Sequence, residues 1–258
     1  MQFAYFCIFI FKASPTNPLP GDSEMKKSRP FIFIAALAFV MALTISCSSD
    51  SSSGNPIKKA KISGVSQKGP FVKGSKATLW ELNDNLEQTG RSFTDIIADN
   101  RGSFEIRGIE LVSPYARLEA SGHYRNENSG RESELPITLF AIVDLREKEQ
   151  VNVNVITHLE YYRVLSLFDG GMTLADAKKQ AQKEILAVFG IDSDGFKDSE
   201  DMSIFGTSES DAALLAVSVL LLGNLSENAF SQRLTDFAMA IKDGGGWNDE
   251  GAKKAMGE

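Results

Sequence analysis

Residues 151–167, VNVNVITHLEYYRVLSL, contain the point at which the chain changes from strand to helix. The first five residues alternate Val with Asn, which is the period of two that is typical of a half-buried β-strand. From Ile156 onward, apolar residues recur every third position at Leu159, Tyr162 and Leu165, which indicates a helix. We therefore predict β-structure before this junction and helices after it.

Residues 61–155 have the pattern of an antiparallel β-sandwich. Short alternating runs are separated by turns rich in Asn, Asp and Gly, and about seven strands are expected, which is the count of a sandwich. Residues 137–143, ITLFAIV, are apolar at every position that would face either side of a sheet. We expect one face of this strand to meet the sandwich core and the other to be covered by the helices.

Residues 156–258 predict an all-α bundle, so the fold class is α+β. Thr173 and Asp176 resemble a capping box at the start of a second helix, and Gly190 is placed to end it. On this helix Lys178, Lys179, Gln182 and Lys183 are expected to face water.

The last two-thirds of this helical region contain three further helices by pattern. Residues 210–222 are apolar on nearly every side and too short to span a bilayer, so we place this helix at the buried centre of the bundle. Another helix is expected over about residues 226–242. A final helix, opened by Asn248, stops after about two turns at Glu258, and we expect the reading frame to be truncated there.

Residues 25–46 read as a secretory signal peptide. Lys26, Lys27 and Arg29 precede an uncharged apolar run at residues 31–45, which is shorter than the ~20 residues of a membrane span. Because this signal is complete from Met25, we expect translation to start there and residues 1–24 to be a mis-assigned start. Residues 47–60 are expected to form a Ser-rich tether.

The end of the signal, Leu43-Thr44-Ile45-Ser46-Cys47, resembles the lipobox of bacterial lipoproteins. The resemblance implies cleavage between Ser46 and Cys47 and attachment of lipid, palmitate included, to Cys47. Thr44 departs from the Leu usual at its position. Ser48, which is not Asp, favours the outer membrane by the same resemblance, so the predicted location is the bacterial cell envelope, with the membrane as a partner through the lipid.

Composition and motifs exclude several classes of protein. The chain has 27 Lys and Arg against 34 Asp and Glu, for a net charge of −7, with no dense basic cluster outside the amino-terminal region. A nucleic-acid partner is therefore not predicted. Two Cys residues exclude a disulfide scaffold and a four-cysteine zinc site. The chain has no phosphate-binding loop, no dinucleotide glycine fingerprint and no nucleophile elbow, and no cofactor or catalytic residue is predicted.

The acidic segment 192–201 is the best candidate for an ion site. Asp192, Asp194 and Asp198 offer alternating oxygen ligands that suit Ca²⁺. Gly195 is the fourth residue of this segment where an EF-hand loop has Gly at its sixth, and Lys197 would bring a positive charge. A solvated loop between helices is therefore favoured, and no metal site is predicted.

The two histidines are not favoured as metal ligands. His158 and Glu160 lie two positions apart on a helix and do not share a face, so a metal site there is not favoured. We expect His158 to contact a polar neighbour near the start of its helix.

Aromatic residues of the β region could form a platform for a sugar. These residues are Trp80, Phe93, Tyr115 and Tyr124. We expect Trp80 in the core. Tyr124 follows His123 on a polar loop, so it is the expected exposed ring and the candidate ligand-binding residue.

Five stretches of the chain carry a family resemblance. They are ISGVSQKGPFVKGSKATLWEL (62–82), DNRGSFEI (99–106), SPYARLEASGHYRNENSG (113–130), VNVNVITHLEYYRVLSL (151–167) and AKKQAQKEILAVFGI (177–191). They resemble uncharacterised surface lipoproteins of fibre-degrading bacteria, over about residues 62–242. The resemblance implies a transthyretin-like sandwich of the carboxypeptidase-regulatory-like type followed by a helical region. It implies no reaction, since this sandwich is generally an accessory or binding module.

The sequence thus predicts a lipid-anchored envelope protein acting as a non-catalytic binding or assembly module. Polysaccharide and other envelope proteins are the candidate partners. Two alternatives stay open: an accessory part of a polysaccharide-active enzyme whose catalytic region is missing from this chain, and a purely structural envelope component.

Overall fold

The computed structural model describes residues 56–257. Several predictions concern residues outside this part of the chain. They are the start at Met25, the signal peptide 25–46, the cleavage and lipidation site at Ser46 and Cys47, and residues 47–55 of the tether. The first strand begins at Ile57, so the end of the predicted tether is β-structure.

Seven strands precede residue 155 in the described part of the chain. They are β1 (Ile57–Gln67), β2 (Lys76–Leu82), β3 (Gln88–Ile96), β4 (Ser103–Leu111), β5 (Tyr115–Gly122), β6 (Ile137–Asp144) and β7 (Val153–Asn154). One sheet has the order β4-β1-β7, in which β7 runs parallel to β1, and the other has the antiparallel order β3-β2-β5-β6. The predicted strand count is confirmed.

The two sheets share one hydrophobic core. Ile62 and Ile106 from the three-stranded sheet belong to the same buried cluster as Leu79, Leu118 and Leu139 from the four-stranded sheet. Alternation along each strand sends these apolar side chains to one face of their sheet. This arrangement, followed by helices, confirms the α+β class and agrees with a β-sandwich.

Five α-helices follow the strands in the described residues. They are α1 (Val155–Asp169), α2 (Leu174–Val188), α3 (Glu209–Leu222), α4 (Glu227–Gly244) and α5 (Glu250–Gly257), with a 3-10 turn at Ser199–Asp201 between α2 and α3. The hydroxyl of Thr173 accepts a hydrogen bond from the Asp176 amide at the start of α2, as predicted. Gly190 follows this helix with φ +68°, where a residue without Cβ is favoured. At α5, the Asp249 carboxylate accepts from the Ala252 amide, so Asp249 takes the role expected of Asn248.

Helices α1 and α2 cover the outer face of β6, the edge strand of the four-stranded sheet. Phe140 and Ile142 of β6 pack in a second hydrophobic cluster with Tyr161 and Val164 of α1 and with Leu174 of α2. Leu139, Ala141 and Val143 belong instead to the core between the sheets. The prediction that residues 137–143 are covered on both faces is confirmed.

The Val-Asn repeat at the strand-to-helix junction differs from the half-buried strand that was predicted. Every residue from 151 to 160 is buried, and α1 begins one residue early, at Val155. Asn152 accepts a hydrogen bond from the Val65 amide and donates to the Met202 carbonyl, at 3.1 and 3.0 Å. Asn154 caps α1 and donates to the Ser199 carbonyl at 2.8 Å. The polar positions are buried because they bind the backbone of β1 and of the turn at Ser199–Asp201.

The prediction that α3 forms the buried centre of the bundle is wrong. Leu214, Val217 and Leu221 are buried, but Leu215 is 40% exposed and Leu220 is 37% exposed. The helix is apolar all round. One of its apolar sides is exposed because nothing in the described residues covers it. No single described helix is long and apolar enough to span a membrane, while α3 and α4, taken as one pair bent by 117°, meet the same criteria of length and composition.

Candidate functional site

A cleft of about 560 Å³ lies between the end of β6 and the start of α2. Its sheet side is lined by Tyr115, Asp144, Arg146 and Lys148. Its helix side is lined by Phe168, Thr173, Leu174, Ala175, Lys178 and Lys179, and the loop after α2 adds Asp198 and Glu200. Two aromatic rings and several charged groups therefore face one space, which we call the junction cleft.

A tight turn after β6 sets the position of Arg146. The Asp144 carboxylate accepts from the Arg146 amide at 3.0 Å and from Arg146 Nε at 2.9 and 3.0 Å. The guanidinium lies 5.8 Å from the centroid of the Tyr115 ring. Asp144 therefore holds Arg146 beside this ring at the mouth of the cleft.

Lys148 ties the loop after α2 to the sheet. Its Nζ donates to Glu200 at 2.8 Å, to Asp201 at 3.0 Å and to Asp198 at 3.1 Å. Burial alone would lower the pKa of Lys148, but the facing Glu200 carboxylate outweighs this effect and raises the pKa. Lys148 is therefore a permanent cation in the wall of the cleft.

Lys178 lies at the base of the cleft and is only 9% exposed. Its Nζ forms an ion pair with Glu200 at 2.7 Å and donates to the Ile142 carbonyl at 2.8 Å. Burial would raise the pKa of Glu200, but the ammonium groups of Lys178 and Lys148 lower it to about 2. Glu200 is therefore ionised, and it holds two lysines from opposite sides of the cleft.

Glu160 lies behind Lys178 and is fully buried. Its Oε1 is 3.8 Å from Lys178 Nζ, and its Oε2 accepts from the Ser199 hydroxyl at 2.7 Å. Burial raises the pKa of Glu160 to about 7, although Lys178 opposes the shift. Glu160 does not line the cleft, so its carboxyl group is not available to a ligand there.

Tyr124, the predicted exposed ring, is completely buried, so that prediction is wrong. A bridge between Phe71 and Tyr124 draws the residue inward, and the ring lies 5.7 Å from Lys68 Nζ. Tyr124 therefore offers no face to a ligand.

The other three aromatic residues named for the platform lie in different parts of the fold. Trp80 was expected in the core, but it is half-buried on the opposite face of β2, where Arg117 lies 5.8 Å from its ring. Phe93 packs against the core at its edge. Tyr115 is the member of the predicted platform that lines the junction cleft.

The three Ca²⁺ candidates do not converge. Asp192 accepts from the Asp194 amide, Asp194 lies 3.8 Å from Lys183 Nζ, and Asp198 binds Lys148. Within residues 56–257, no group of three or more His, Cys, Asp or Glu could hold a metal ion. The Ca²⁺ hypothesis is therefore not supported, because lysines occupy two of the carboxylates.

His158 lacks the polar contact that was expected. It is buried and stacks on Phe140 with ring centroids 5.3 Å apart, and its Nδ1 has no hydrogen-bond partner. Burial lowers the pKa of His158 to about 4, so the ring is neutral.

The central residues of the cleft were missed from the sequence. Lys178 was expected to face water, and Glu200 lies in a segment interpreted as a solvated loop. The spacing of Lys178 from Leu174 and Ala181, at four and three residues, was a local signal that it lies on the buried side of α2. Glu200 has no such signal, because it meets Lys178 only when residues 198–201 fold back over α2. No family model, curated protein or solved structure matches the chain, so the cleft itself carries the functional argument.

Proposed function

We propose that this chain is a lipid-anchored protein of the bacterial cell envelope that binds polysaccharide in the junction cleft. In this proposal residues 61–155 form a transthyretin-like sandwich, and Cys47 carries the lipid that holds it at the outer membrane. The signal sequence supports the export and the anchor. The cleft supports the binding role.

The observation that carries the proposal is the pairing of rings and polar groups in one open space. Tyr115 and Phe168 are both half-buried and both line the cleft. A sugar has apolar C–H faces that pack on aromatic rings and hydroxyl edges that need hydrogen bonds. The charged side chains of Asp144, Arg146 and Lys179 line the same walls. Such a mixture of apolar area and a few polar groups is typical of small-molecule sites.

The charge arrangement favours binding over hydrolysis. A glycoside hydrolase needs one carboxyl group that gives up a proton and a second that stays ionised, both within reach of the substrate. Glu160 has a suitably raised pKa but is sealed from the cleft, and Glu200 is held ionised by two lysines. The carboxylates nearer the surface, Asp144 and Asp198, are bound by Arg146 and Lys148.

A binding experiment with a polysaccharide panel tests the proposal. The chain from Ser48 to Glu258, without lipid, is incubated with cell-wall polysaccharides, and both retention and release of reducing ends are measured. Tyr115→Ala and Phe168→Ala are expected to weaken retention by about tenfold each, because each removes a stacking surface. Phe205→Ala is the matched control, since Phe205 is exposed but does not line the cleft.

Three results would contradict the proposal. One is equal retention by wild type and both cleft variants, which would place binding elsewhere. Another is the absence of retention on every polymer tested. The third is release of reducing ends, which would favour the enzyme alternative.

Lipidation is tested separately with labelled palmitate in a bacterial host. Cys47→Ala is expected to abolish incorporation of the label and to leave the precursor uncleaved. Cys7→Ala is the control, because Cys7 precedes the predicted start at Met25 and should not affect labelling. Labelling of the Cys47→Ala chain, or none in the wild type, would contradict the anchor.

An assembly role is a second candidate, favoured by the exposed leucines of α3. Leu215 and Leu220 border the solvent-facing side of α3, which also carries the exposed Ala216 between them. Sedimentation of the chain at increasing concentration tests this role. A monomer at all concentrations would argue against self-assembly.

A further inference from the structure

Most charges in the junction cleft are already neutralised by neighbours. Lys148 pairs with Asp198, Asp201 and Glu200, and Glu200 also pairs with Lys178. Arg146 is matched by Asp144 through Nε and Nη2. These pairs hold the cleft in shape and leave little charge for a ligand.

Lys179 is the exception. It is exposed on α2, lines the cleft, and has no hydrogen-bond or ion-pair partner within residues 56–257. Arg146 adds a second cationic group at the mouth of the same cleft, where it binds Asp144 and lies beside the Tyr115 ring. Two cationic groups therefore face the same space, and the ammonium group of Lys179 is the one without a partner in the described residues.

The positive charges of Lys179 and Arg146 are opposite in sign to the net charge of the molecule. The chain carries a net charge of −7, and acidic side chains outnumber basic ones. A neutral sugar would gain nothing from an unpaired ammonium group, which would keep its water. A carboxylate would gain charge-assisted hydrogen bonds from both groups, in a cleft where water screens less than in bulk.

We infer that the junction cleft takes an acidic glycan, in which a sugar ring packs on Tyr115 or Phe168 and its carboxylate binds Lys179 and Arg146. This inference rests on the proposed function and names its ligand class. Uronic acids are the class of sugar that carries a ring-bound carboxylate next to apolar C–H faces.

The test compares two oligosaccharides with the same backbone. Binding of an oligogalacturonate and of its fully methyl-esterified form to the Ser48–Glu258 chain is measured by calorimetry in low salt. The acidic form is expected to bind at least fivefold more tightly, and its advantage should shrink as salt is raised, because exposed charges are screened.

Variants on α2 assign the effect to one lysine. Lys179→Gln is expected to weaken the acidic oligosaccharide by threefold to tenfold and to leave the ester unchanged. Lys183→Gln is the matched control, since Lys183 is on the same helix and exposed but does not line the cleft. It removes the same charge and should change neither affinity by more than twofold.

The possible outcomes distinguish failure of the acidic-glycan inference from failure of the proposed glycan binding. If both oligosaccharides bind equally and Tyr115→Ala weakens both, glycan binding stands and the acidic class is overturned. If Lys179→Gln and Lys183→Gln weaken binding equally, a general charge effect replaces the specific contact and the inference fails. If neither oligosaccharide nor any other glycan binds, the inference and the proposed function fall together.

Discussion

Two buried lysines, Lys68 and Lys178, differ in the number of carboxylates around them and in their distance from the junction cleft. Lys68 is completely buried, with Nζ 2.7 Å from Glu127 and 4.7 Å from the centroid of the Phe230 ring. The Ser218 hydroxyl donates to Glu127 at 2.6 Å. This group does not line the junction cleft. Lys178 instead borders the junction cleft.

The charge balance differs as well as the exposure. Burial lowers the pKa of Lys68, and its one carboxylate, Glu127, only partly opposes this effect. Burial would also lower the pKa of Lys178, but two carboxylates, Glu200 and Glu160, outweigh it and raise the pKa. A single sealed pair stabilises only while it is intact, whereas a shared network keeps partners after one member is lost.

Replacement of Lys68 should have the largest effect on stability. Lys68→Met keeps the length of the side chain but leaves the Glu127 carboxylate buried without its cation. We expect a loss of about 3–5 kcal/mol in the free energy of unfolding, measured by urea denaturation. The double variant with Glu127→Gln should recover at least half of this loss. An additive double variant would show that Lys68 and Glu127 do not act as a pair.

The same substitution at Lys178 should cost less. Lys178→Met leaves Glu200 with Lys148 as its partner, so the expected loss is about 1–3 kcal/mol. The measurement is urea denaturation under the conditions used for Lys68→Met. A loss equal to or larger than that of Lys68→Met would contradict the contrast between a pair and a network.

Glu160 should make the network sensitive to pH. Its pKa is raised from 4.5 to about 7 in the folded protein, so its contribution to stability is present below pH 4.5 and is lost as pH rises through 7. Glu160→Gln removes the buried charge that faces Lys178, Glu200 and Asp198, and it should stabilise the protein by about 1–2 kcal/mol at pH 8. At pH 4.5 the gain should vanish.

Glu200→Gln is the control for this pH effect. The pKa of Glu200 is lowered from 4.5 to about 2, so its contribution is present above pH 4.5 and is lost as pH falls. The variant should therefore be destabilised at pH 8. Stabilisation by both substitutions would show that neither carboxylate is held as described.

In the wild type, the pH dependence of stability that comes from Glu160 should be masked by that of His158. Its pKa is lowered from 6.5 to about 4, so its contribution is present above pH 6.5 and is lost as pH falls through 4. Between pH 4.5 and 6.5 the two groups act in opposite directions, and the urea midpoint should be nearly flat. His158→Phe preserves a ring beside Phe140 and should expose a decline of roughly 1 kcal/mol as pH rises from 4.5 to 7. An unchanged flat profile in this variant would contradict the opposition.

Local features of the fold were predictable because short-range chemistry decides them. Thr173 and Gly190 mark the two ends of α2 through a hydroxyl cap and a positive φ, and both act within a few residues of themselves. The two-faced burial of residues 137–143 also followed from composition alone. Boundaries were less exact, since α1 begins at Val155 and the cap of α5 is Asp249.

The candidate site was predictable only in fragments. Tyr115 and Asp198 were singled out, the first for a sugar platform and the second for Ca²⁺, and the fold brings both to the junction cleft. Tyr124 was chosen from its polar neighbours and proved to be buried. Polar neighbours in sequence do not reveal whether another segment packs over a loop.

The sequence by itself determined that strands precede residue 155 and helices follow it, because an apolar period of two is typical of strands and a period of three or four is typical of helices. Only the tertiary structure decided which polar side chains are buried. Lys178 lies on the buried side of α2 with Leu174 and Ala181. Its charge has a partner there because Asn152 and Asn154 bind the Met202 and Ser199 carbonyls and hold the turn that carries Glu200 beside it. A charged side chain is buried only where another segment supplies a partner of opposite charge. The periodicity of a single helix does not show which segment will supply that partner.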